Sequence, residues 1–242
     1  MSETRVALVT GANKGIGYEI ARGLGEIGAT VLLGARVAER GAAAAEKLAA
    51  EGIIVVPLEL DVTDAVSVSA AAARIDREYG QLAILVNNAG ILVERGQKPS
   101  ELPADALRRA YATNVFGVVT MINAMLPLIR RAEAGRIVNV SSGLGSLALT
   151  SDPAGPYAAF PLLAYNSSKS ALNAVTVSYA NELRHTPIKV NAADPGYCAT
   201  DLNGHSGPRT PAQGAAAAIR LATLPDDGPT AGFFSEDGPE PW

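Results

Sequence analysis

The stretch "RVALVTGANKGIG" at residues 5–17 decides the fold. Its apolar start predicts a buried β-strand over 5–10, and helical spacing follows over 18–28. The glycines between them, Gly11, Gly15 and Gly17, permit a tight turn and a close approach to a phosphate. The N-terminal N–H groups of the helix would bind that same phosphate. The stretch therefore predicts a nucleotide-binding strand–turn–helix unit, although the spacing differs from G-x-G-x-x-G and an ordinary glycine-rich turn remains the alternative.

The same alternation of short apolar runs and longer helical patterns continues along the chain. Further strands are predicted over 30–35, 52–60, 82–88, 135–142, 188–196 and 232–234. Further helices are predicted over 39–51, 64–80, 103–131, 164–184 and 210–223. Strands this apolar are buried on both faces of a parallel sheet. We therefore expect one α/β domain over 1–242, a Rossmann-type, doubly wound, mostly parallel seven-stranded sheet with helices on both faces, ending in a surface tail at Trp242.

Composition narrows the possible partners. The 242 residues are 48% hydrophobic and 18% charged, with a formal net charge of -4, which suits a globular domain and gives no reason to expect nucleic acid. The N-terminus lacks the pattern of a signal peptide, and no apolar run looks long enough to span a bilayer, so no membrane partner is expected. The single cysteine, Cys198, excludes an internal disulfide framework and favours a cytoplasmic location.

The end of the second strand bears on which dinucleotide would bind. An acidic residue there would hold a ribose 2′-hydroxyl, whereas an arginine would accept a 2′-phosphate. This sequence has Ala35 followed by Arg36, with Lys14 in the glycine turn and Arg40 one helical turn later. The pattern favours NADP(H) over NAD(H), with a solvated arginine at a helix start as the alternative.

Polar turns close the next two strands. Asp61, at the end of the third strand, could accept a hydrogen bond from an adenine amino group, while Asp64 is expected to cap a helix. "NNAG" at 87–90 closes the fourth strand and could also be an ordinary turn. All these turns would lie at the carboxyl edge of the sheet, where open α/β folds bind ligands.

"AYNSSKSALNAV" at 164–175 places Tyr165 and Lys169 four residues apart, on one face of a predicted helix. A phenol beside an ammonium suits a proton-transfer enzyme, because the positive charge stabilises the phenolate. Such a pair also arises by chance, so it gains weight only from its place downstream of the Ser-Ser strand end at 141–142.

Taken together, these motifs resemble the short-chain dehydrogenase/reductase family, and its carbonyl-reductase-like members in particular, over nearly the whole chain. The matching elements, in order, are Thr10 to Gly17, Asn87 to Gly90, Asn114 in "ATNVFG", Ser142, the Tyr165–Lys169 pair and Pro195-Gly196.

The resemblance implies NADPH-dependent reduction of a ketone or aldehyde. Tyr165 would be the general acid, Ser142 would bind the carbonyl oxygen, Lys169 would lower the tyrosine pKa and hold the nicotinamide ribose, and Asn114 would support a water relay. No metal is implied. The implied cofactor-binding residues are Gly11, Asn13, Lys14, Gly15, Ile16, Gly17, Arg36, Asp61, Val62, Asn87, Ala89, Gly90, Tyr165, Lys169, Pro195, Gly196 and Thr200.

Two segments depart from the family pattern. Ser142 and Tyr165 are unusually far apart, and the proline-containing stretch 150–161 between them predicts a loop bordering the substrate pocket. The segment 202–209, where relatives usually carry a lid, is short and predicts an open pocket. Tyr157 and Tyr179 lack a lysine four residues on and are not expected to be catalytic. His185, His205 and Cys198 are interpreted as surface, loop and packing residues.

Some alternatives stay open at this stage. A non-catalytic NADP(H)-binding redox sensor would keep the fold, but would normally lose the tyrosine or the lysine. An alcohol dehydrogenase working in the oxidative direction would keep every motif. Since the helix at 164–184 pairs subunits in many members of the family, a monomer and a low-order homo-oligomer are both compatible with the sequence, and the partner expected is a small-molecule carbonyl substrate.

Overall fold

The computed structural model describes residues 5–94 and 96–242 and contains a seven-stranded sheet. All neighbouring strands pair in parallel, in the order β3-β2-β1-β4-β5-β6-β7. The strands are β1 (Val6–Val9), β2 (Thr30–Ala35), β3 (Val55–Glu59), β4 (Ile84–Asn87), β5 (Arg136–Val140), β6 (Lys189–Ala193) and β7 (Phe233–Phe234). The predicted fold class and all seven predicted strands are confirmed.

Helices cover both faces of this sheet. They are α1 (Gly15–Glu26), α2 (Ala38–Ala50), α3 (Ala65–Tyr79), α4 (Ala104–Tyr111), α5 (Val118–Ile129), α6 (Leu147–Thr150), α7 (Leu163–Glu182) and α8 (Pro211–Ala222). Alternate strand residues point to opposite faces, so Ala7 and Val9 join a core under α1, α2 and α8. Val6 and Leu8 join a second core with α3, α5 and α7. Burial on both faces explains why the strands are apolar throughout rather than alternating.

The strand order reverses between β1 and β4, which lie side by side at the centre of the sheet. The chain leaves these two strands in opposite directions, so a crevice opens beyond their carboxyl ends. The glycine turn follows β1 and the Asn-Asn-Ala-Gly turn follows β4. The two turns singled out in the sequence therefore meet at the position where doubly wound sheets bind ligands.

The predicted long helix over 103–131 is present as one helical stretch, Ala104–Ile129, but it is not α-helical throughout. The structure has α4, then a π-helical turn at Ala112–Gly117, then α5. One turn of this kind inserts a residue into the helical repeat and turns the side chains near it to a new direction, which is why π-turns occur so often at functional sites. The turn contains Asn114.

The stretch that contains α4 and α5 also corrects the expectation that no apolar run is long enough to span a bilayer. Ala104–Ile129 is long and apolar enough to cross a bilayer by length and composition, with a mean hydropathy of 1.6 in its most apolar window. More than half of that window, 56%, is buried inside the protein. Met121, Ile122 and Met125 of α5 have no exposed surface, so this apolarity serves the core beneath the sheet.

The chain end is not the surface tail expected from the sequence. After β7 the chain turns back, and the N–H of Glu240 donates to the carbonyl of Phe233 over 2.8 Å. The Trp242 ring stacks on Phe233 with centroids 5.6 Å apart, and the Trp242 carbonyl accepts a hydrogen bond from the N–H of Ala148. The end of the chain therefore covers the last strand and contacts α6, close to the Ser142 loop.

Candidate active site

The two turns at the switch point are tied together by side chains. The Thr10 hydroxyl accepts the N–H groups of Asn88 and Ala89, each at 3.0 Å. The Asn88 amide in turn donates to the carbonyls of Thr10 at 2.9 Å and Gly11 at 3.2 Å. These bonds hold the loop after β4 against the glycine turn and fix the floor of the crevice.

Glycine is required at two positions of this cradle. A Cβ at Gly11 would lie 3.0 Å from the Ala89 Cα, and Gly11 has a positive φ of 64°. A Cβ at Gly17 would lie 2.7 Å from the carbonyl oxygen of Gly11 and collide with the Asn88 amide. The bare backbone then leads into the N-terminus of α1 at Gly15. A backbone cradle ending at a helix N-terminus fits the pyrophosphate of a dinucleotide.

Basic side chains lie to one side of the cradle. Arg36 and Arg40 are exposed, and Lys14 forms an ion pair with Asp201 of the loop after β6. A cavity of about 420 Å³ is lined by Asn13, Lys14, Arg40, Ala43, Ala44, Lys47 and Asp201. Three cations around a single cavity, with one carboxylate among them, form a surface suited to a phosphate group.

Asp61 lies close to Arg36. Partial burial raises the pKa of its carboxyl group, but hydrogen bonds from Thr63 and the charge of Arg36 outweigh it, so the pKa lies below its ordinary value. Its Oδ1 accepts the Thr63 N–H at 2.9 Å and the Thr63 hydroxyl at 2.7 Å. Asp64 caps α3 by accepting the N–H of Val66 at 2.9 Å, as predicted.

Most of the remaining predicted cofactor residues lie at or beside the cradle, but Asn87 does not. Thr200 lies across the cradle from Gly15, with its methyl carbon 3.6 Å from where a Cβ would be. Gly196 has φ 70°, and its N–H donates to Asp194 over 2.9 Å. Asn87, by contrast, is turned into the sheet, 2% exposed, where its amide donates to Asn139 over 2.9 Å. Gly90 and Pro195 lie at the ends of β4 and β6, while Ile16 and Val62 pack beside the cradle against Gly214 and Gly117.

The Tyr165 phenol lies in the interior near Lys169 and Ser142. Tyr165 is 9% exposed and Lys169 is 4% exposed. The Lys169 Nζ is 5.7 Å from the centroid of the Tyr165 ring and donates to the carbonyl of Val140, at the end of β5, over 2.8 Å. The Ser142 hydroxyl lies close enough to Tyr165 to lower the pKa of its phenol. The structure thus brings together three of the four residues predicted to be catalytic.

The Ser142 loop is fastened to α7, which carries the other two. The Ser141 hydroxyl donates to the Asn173 side chain over 2.6 Å, and the Asn173 amide donates to the Gly145 carbonyl over 3.3 Å. Because these bonds are buried, the loop and the helix hold a common geometry.

Asn114, the fourth predicted residue, faces the same helix from the π-turn. Its amide donates to the Ile91 carbonyl and to the Ser168 hydroxyl, each at 3.0 Å. Its Oδ1 accepts the Ile91 N–H at 2.9 Å. Asn114 therefore connects the loop after β4 to α7, where its partner Ser168 directly precedes Lys169.

The expected lowering of the Tyr165 pKa by Lys169 is not what the protein groups produce. Burial, and then the charge of Asp194, raise the pKa of Tyr165 well above its ordinary value, with the Ser142 hydroxyl opposing the rise. Burial lowers the pKa of Lys169 to about 8, against the opposing charge of Asp194. At neutral pH the phenol therefore carries its proton, the form needed for donation to a carbonyl oxygen.

Sequence reasoning did not place Asp194 at this site, and it considered Tyr157 only as a catalytic candidate. Asp194 is 5% exposed, accepts the backbone N–H groups of Gly143 and Gly196, and its charge acts on both Tyr165 and Lys169. Tyr157 lies over the Ser142 loop, since a Cβ at Gly143 would be 2.5 Å from its hydroxyl oxygen. Asp194 directly precedes the Pro-Gly element, and that position is the one signal that could have indicated it.

The other residues judged not to be catalytic, Tyr179, His205 and Cys198, have hydrogen-bond partners of their own. The Tyr179 hydroxyl donates to Asn123 over 2.7 Å. His205 is an exposed partner of Asp201, and buried Cys198 donates to the carbonyl of Pro195. Within residues 5–94 and 96–242, no group of three or more His, Cys, Asp and Glu side chains is placed to hold a metal ion.

Comparison with known proteins identifies the family of this chain. Residues 5–210 match the family described as short chain dehydrogenase. The chain is 36% identical to the short-chain dehydrogenase anuI of Penicillium roqueforti, over 90% of this chain and 88% of that protein. It is 34% identical to the NADPH carbonyl reductase 1 of Mus musculus, over 100% of both chains. NADPH-bound carbonyl reductase from chicken fatty liver superposes with a TM-score of 0.85 at 28% identity, covering 99% of this chain and 100% of that chain.

A doubly wound sheet with a glycine cradle at its switch point and a buried Tyr–Lys pair defines a dinucleotide-dependent oxidoreductase. The chain belongs to the short-chain dehydrogenase/reductase family. Within it, the protein is an NADP-dependent oxidoreductase of the carbonyl-reductase-like branch.

Proposed function

We propose that the protein reduces the carbonyl group of a ketone or aldehyde at the expense of NADPH, with Tyr165 as the general acid. The observation that carries the proposal is the buried Tyr165 phenol, whose ring centroid lies 5.7 Å from the Lys169 Nζ and whose pKa the nearby Ser142 hydroxyl lowers. When bound, the nicotinamide supplies the hydride. Negative charge then develops on the carbonyl oxygen, which accepts a hydrogen bond from Ser142 and the proton from Tyr165.

Lys169 and Asn114 act through the same helix. The Lys169 ammonium, free to exchange its bond to the Val140 carbonyl for a ribose hydroxyl, stabilises the phenolate that remains after proton donation. Asn114, held by Ile91 and Ser168, supports the water relay that returns the proton to Tyr165. Both roles follow the family pattern, and they are supported by the position of Lys169 on α7 and by the bond from Asn114 to Ser168 of the same helix.

Preference for NADPH over NADH is proposed on charge. Arg36 follows Ala35, so β2 ends without a carboxylate of its own to hold a ribose hydroxyl, and Lys14 and Arg40 line a cavity. Asp201 neutralises part of the Lys14 charge in the ion pair, so Arg36 is assigned the larger share of the preference.

Bulky apolar ketones are the proposed substrates. The loop before α7 contacts the loop after β6 through the rings of Phe160 and Tyr197, whose centroids are 5.9 Å apart. These rings are 40% and 45% exposed, and Leu163 beside them is 37% exposed. An exposed apolar surface at the entrance to a buried proton donor suits a substrate with a large apolar body.

A substrate panel tests the proposed function. NADPH oxidation is followed by absorbance over small and bulky ketones, aldehydes and quinones, with NADH in parallel. Turnover of at least one carbonyl class, faster with NADPH, is expected. A protein that binds NADPH tightly and turns over none of the panel would instead favour the redox-sensor alternative.

A further inference from the structure

A carboxylate from the loop after β4 lies at the start of the helix that carries Tyr165. Glu94 is 1% exposed, and its Oε1 accepts the N–H of Ala164 at 2.7 Å and the N–H of Tyr165 at 3.2 Å. Its Oε2 is also buried and has no hydrogen-bond partner among the described residues. A buried carboxylate with one unpaired oxygen is costly, so its presence calls for a function.

The helix itself lacks a local cap. Leu162 stands at the N-cap position, makes no side-chain hydrogen bond to the helix, and the first turn of α7 contains no acidic residue. The first N–H groups of a helix have no partner within it. A negative charge there also interacts favourably with the positive end of the helix dipole. Glu94 therefore caps the N-terminus of α7 from a distant loop, because the residues around 163 provide no side-chain cap.

Glu94 also joins this helix to the floor of the crevice. The loop that carries it begins with Asn88 and Ala89, which are bonded to Thr10, and continues through Ile91, which is bonded to Asn114. We infer that Glu94 is a positioning residue for the reaction, which holds the amide of Tyr165 in fixed register with the cofactor cradle. The inference rests on the proposed function, in which Tyr165 is the proton donor.

Two substitutions separate this role from general stability. Glu94→Ala removes the acceptor and should lower kcat about 10-fold, less than the ~100-fold cost of a 1 Å misplacement, while KM for NADPH changes less than 2-fold. Glu94→Gln keeps one carbonyl oxygen for the same two N–H groups and should restore at least half of the wild-type kcat.

The matched control is Asp64→Ala, which removes the N-cap of α3 on a helix that carries none of the predicted catalytic residues. It should lower the melting temperature without changing kcat. Hydrogen exchange measured by mass spectrometry should show faster exchange at residues 163–166 in Glu94→Ala and no change there in Asp64→Ala. If Glu94→Ala does not fold, Glu94→Asp withdraws the carboxylate by one methylene and should give an intermediate loss of kcat.

Unchanged kcat in Glu94→Ala, or equal kcat losses in Glu94→Ala and Glu94→Gln, would overturn the inference. A different result would contradict the proposed function itself, namely a Tyr165→Phe variant that keeps its activity. An inactive Tyr165→Phe beside a fully active Glu94→Ala would refute only the role of Glu94.

Discussion

The buried and exposed parts of the site differ in how they hold their functional groups. Around Tyr165, Lys169 and Asn114, exposure is 9%, 4% and 1%, and each polar contact is fixed by a neighbouring element. Around Lys14 and Asp201, the paired side chains are 58% and 52% exposed. Buried groups act through position and local dielectric, whereas exposed groups act through charge that water and salt screen. Substitutions in the first region should therefore change kcat, and those in the second should change affinity.

The largest effect is expected at the centre of the buried region. Tyr165→Phe deletes one proton donor and little volume, so kcat should fall at least ~100-fold, the usual scale of acid–base catalysis, while NADPH binding stays nearly intact. Single-turnover kinetics with a saturating ketone, together with NADPH titration, measures the two quantities.

Tyr179→Phe is the matched control, since it removes the same hydroxyl from the same helix, at a position where that hydroxyl bonds Asn123. It should keep wild-type kcat. A Tyr165→Phe variant with more than a tenth of the wild-type rate, measured with chemistry rate-limiting, would show that another group donates the proton.

The second effect belongs to the exposed region. Arg36→Ala should raise KM for NADPH roughly 10- to 150-fold and leave KM for NADH nearly unchanged, because a hydrogen bond involving a charged group is worth ~1.5–3 kcal/mol. Raised salt should weaken NADPH binding in the wild type more than in the variant.

Arg77→Ala, which removes an exposed arginine paired with Glu78 on α3, is the control for loss of one positive charge. If Arg36→Ala weakened binding of NADPH and NADH equally, or if the wild type favoured NADH, Arg36 would be only a solvated residue at a helix start.

The same contrast explains what the sequence could reveal. The strands, the glycine turn and the Tyr165–Lys169 pair depend on local spacing, and local spacing is written in the sequence. Asp194 and Glu94 depend on which loops meet at the carboxyl edge of the sheet, and no spacing rule connects Glu94 to residue 165. The π-turn at Asn114 lies inside a continuous helical pattern and has no glycine or proline at its start, so the periodicity could predict the long helix but not the turn within it.

The pH dependence probes how the buried charges interact. Lys169, with its pKa lowered to about 8 by burial, must keep its proton to stabilise the phenolate. kcat/KM for NADPH, which reports groups of the free enzyme, should therefore fall as the pH rises through about 8.

Asp194→Asn sharpens this test. The Asp194 charge raises the pKa values of both Tyr165 and Lys169, so its removal lowers both, and the alkaline loss of reductase activity should move to lower pH. Asparagine keeps an acceptor for the N–H groups of Gly143 and Gly196. An unmoved alkaline limb would mean that the Asp194 charge does not act on the pair.

The smallest effect is expected at the proposed substrate entrance, where the rings of Phe160 and Tyr197 are in contact. Bulky aromatic or cyclic ketones should have kcat/KM values at least equal to those of acetone-sized ones. An aromatic contact is worth ~0.5–1.5 kcal/mol, so Phe160→Ala should lower kcat/KM for aryl ketones by roughly 2- to 12-fold and leave acetone-sized substrates unaffected.

Ile54→Ala, at an apolar residue that is 81% exposed ahead of β3, controls for loss of exposed apolar surface. A strict preference for the smallest ketones would contradict an open apolar entrance. Equal losses for small and large ketones in Phe160→Ala would instead place the ring in support of α7, whose Asn166 amide donates to the Phe160 carbonyl.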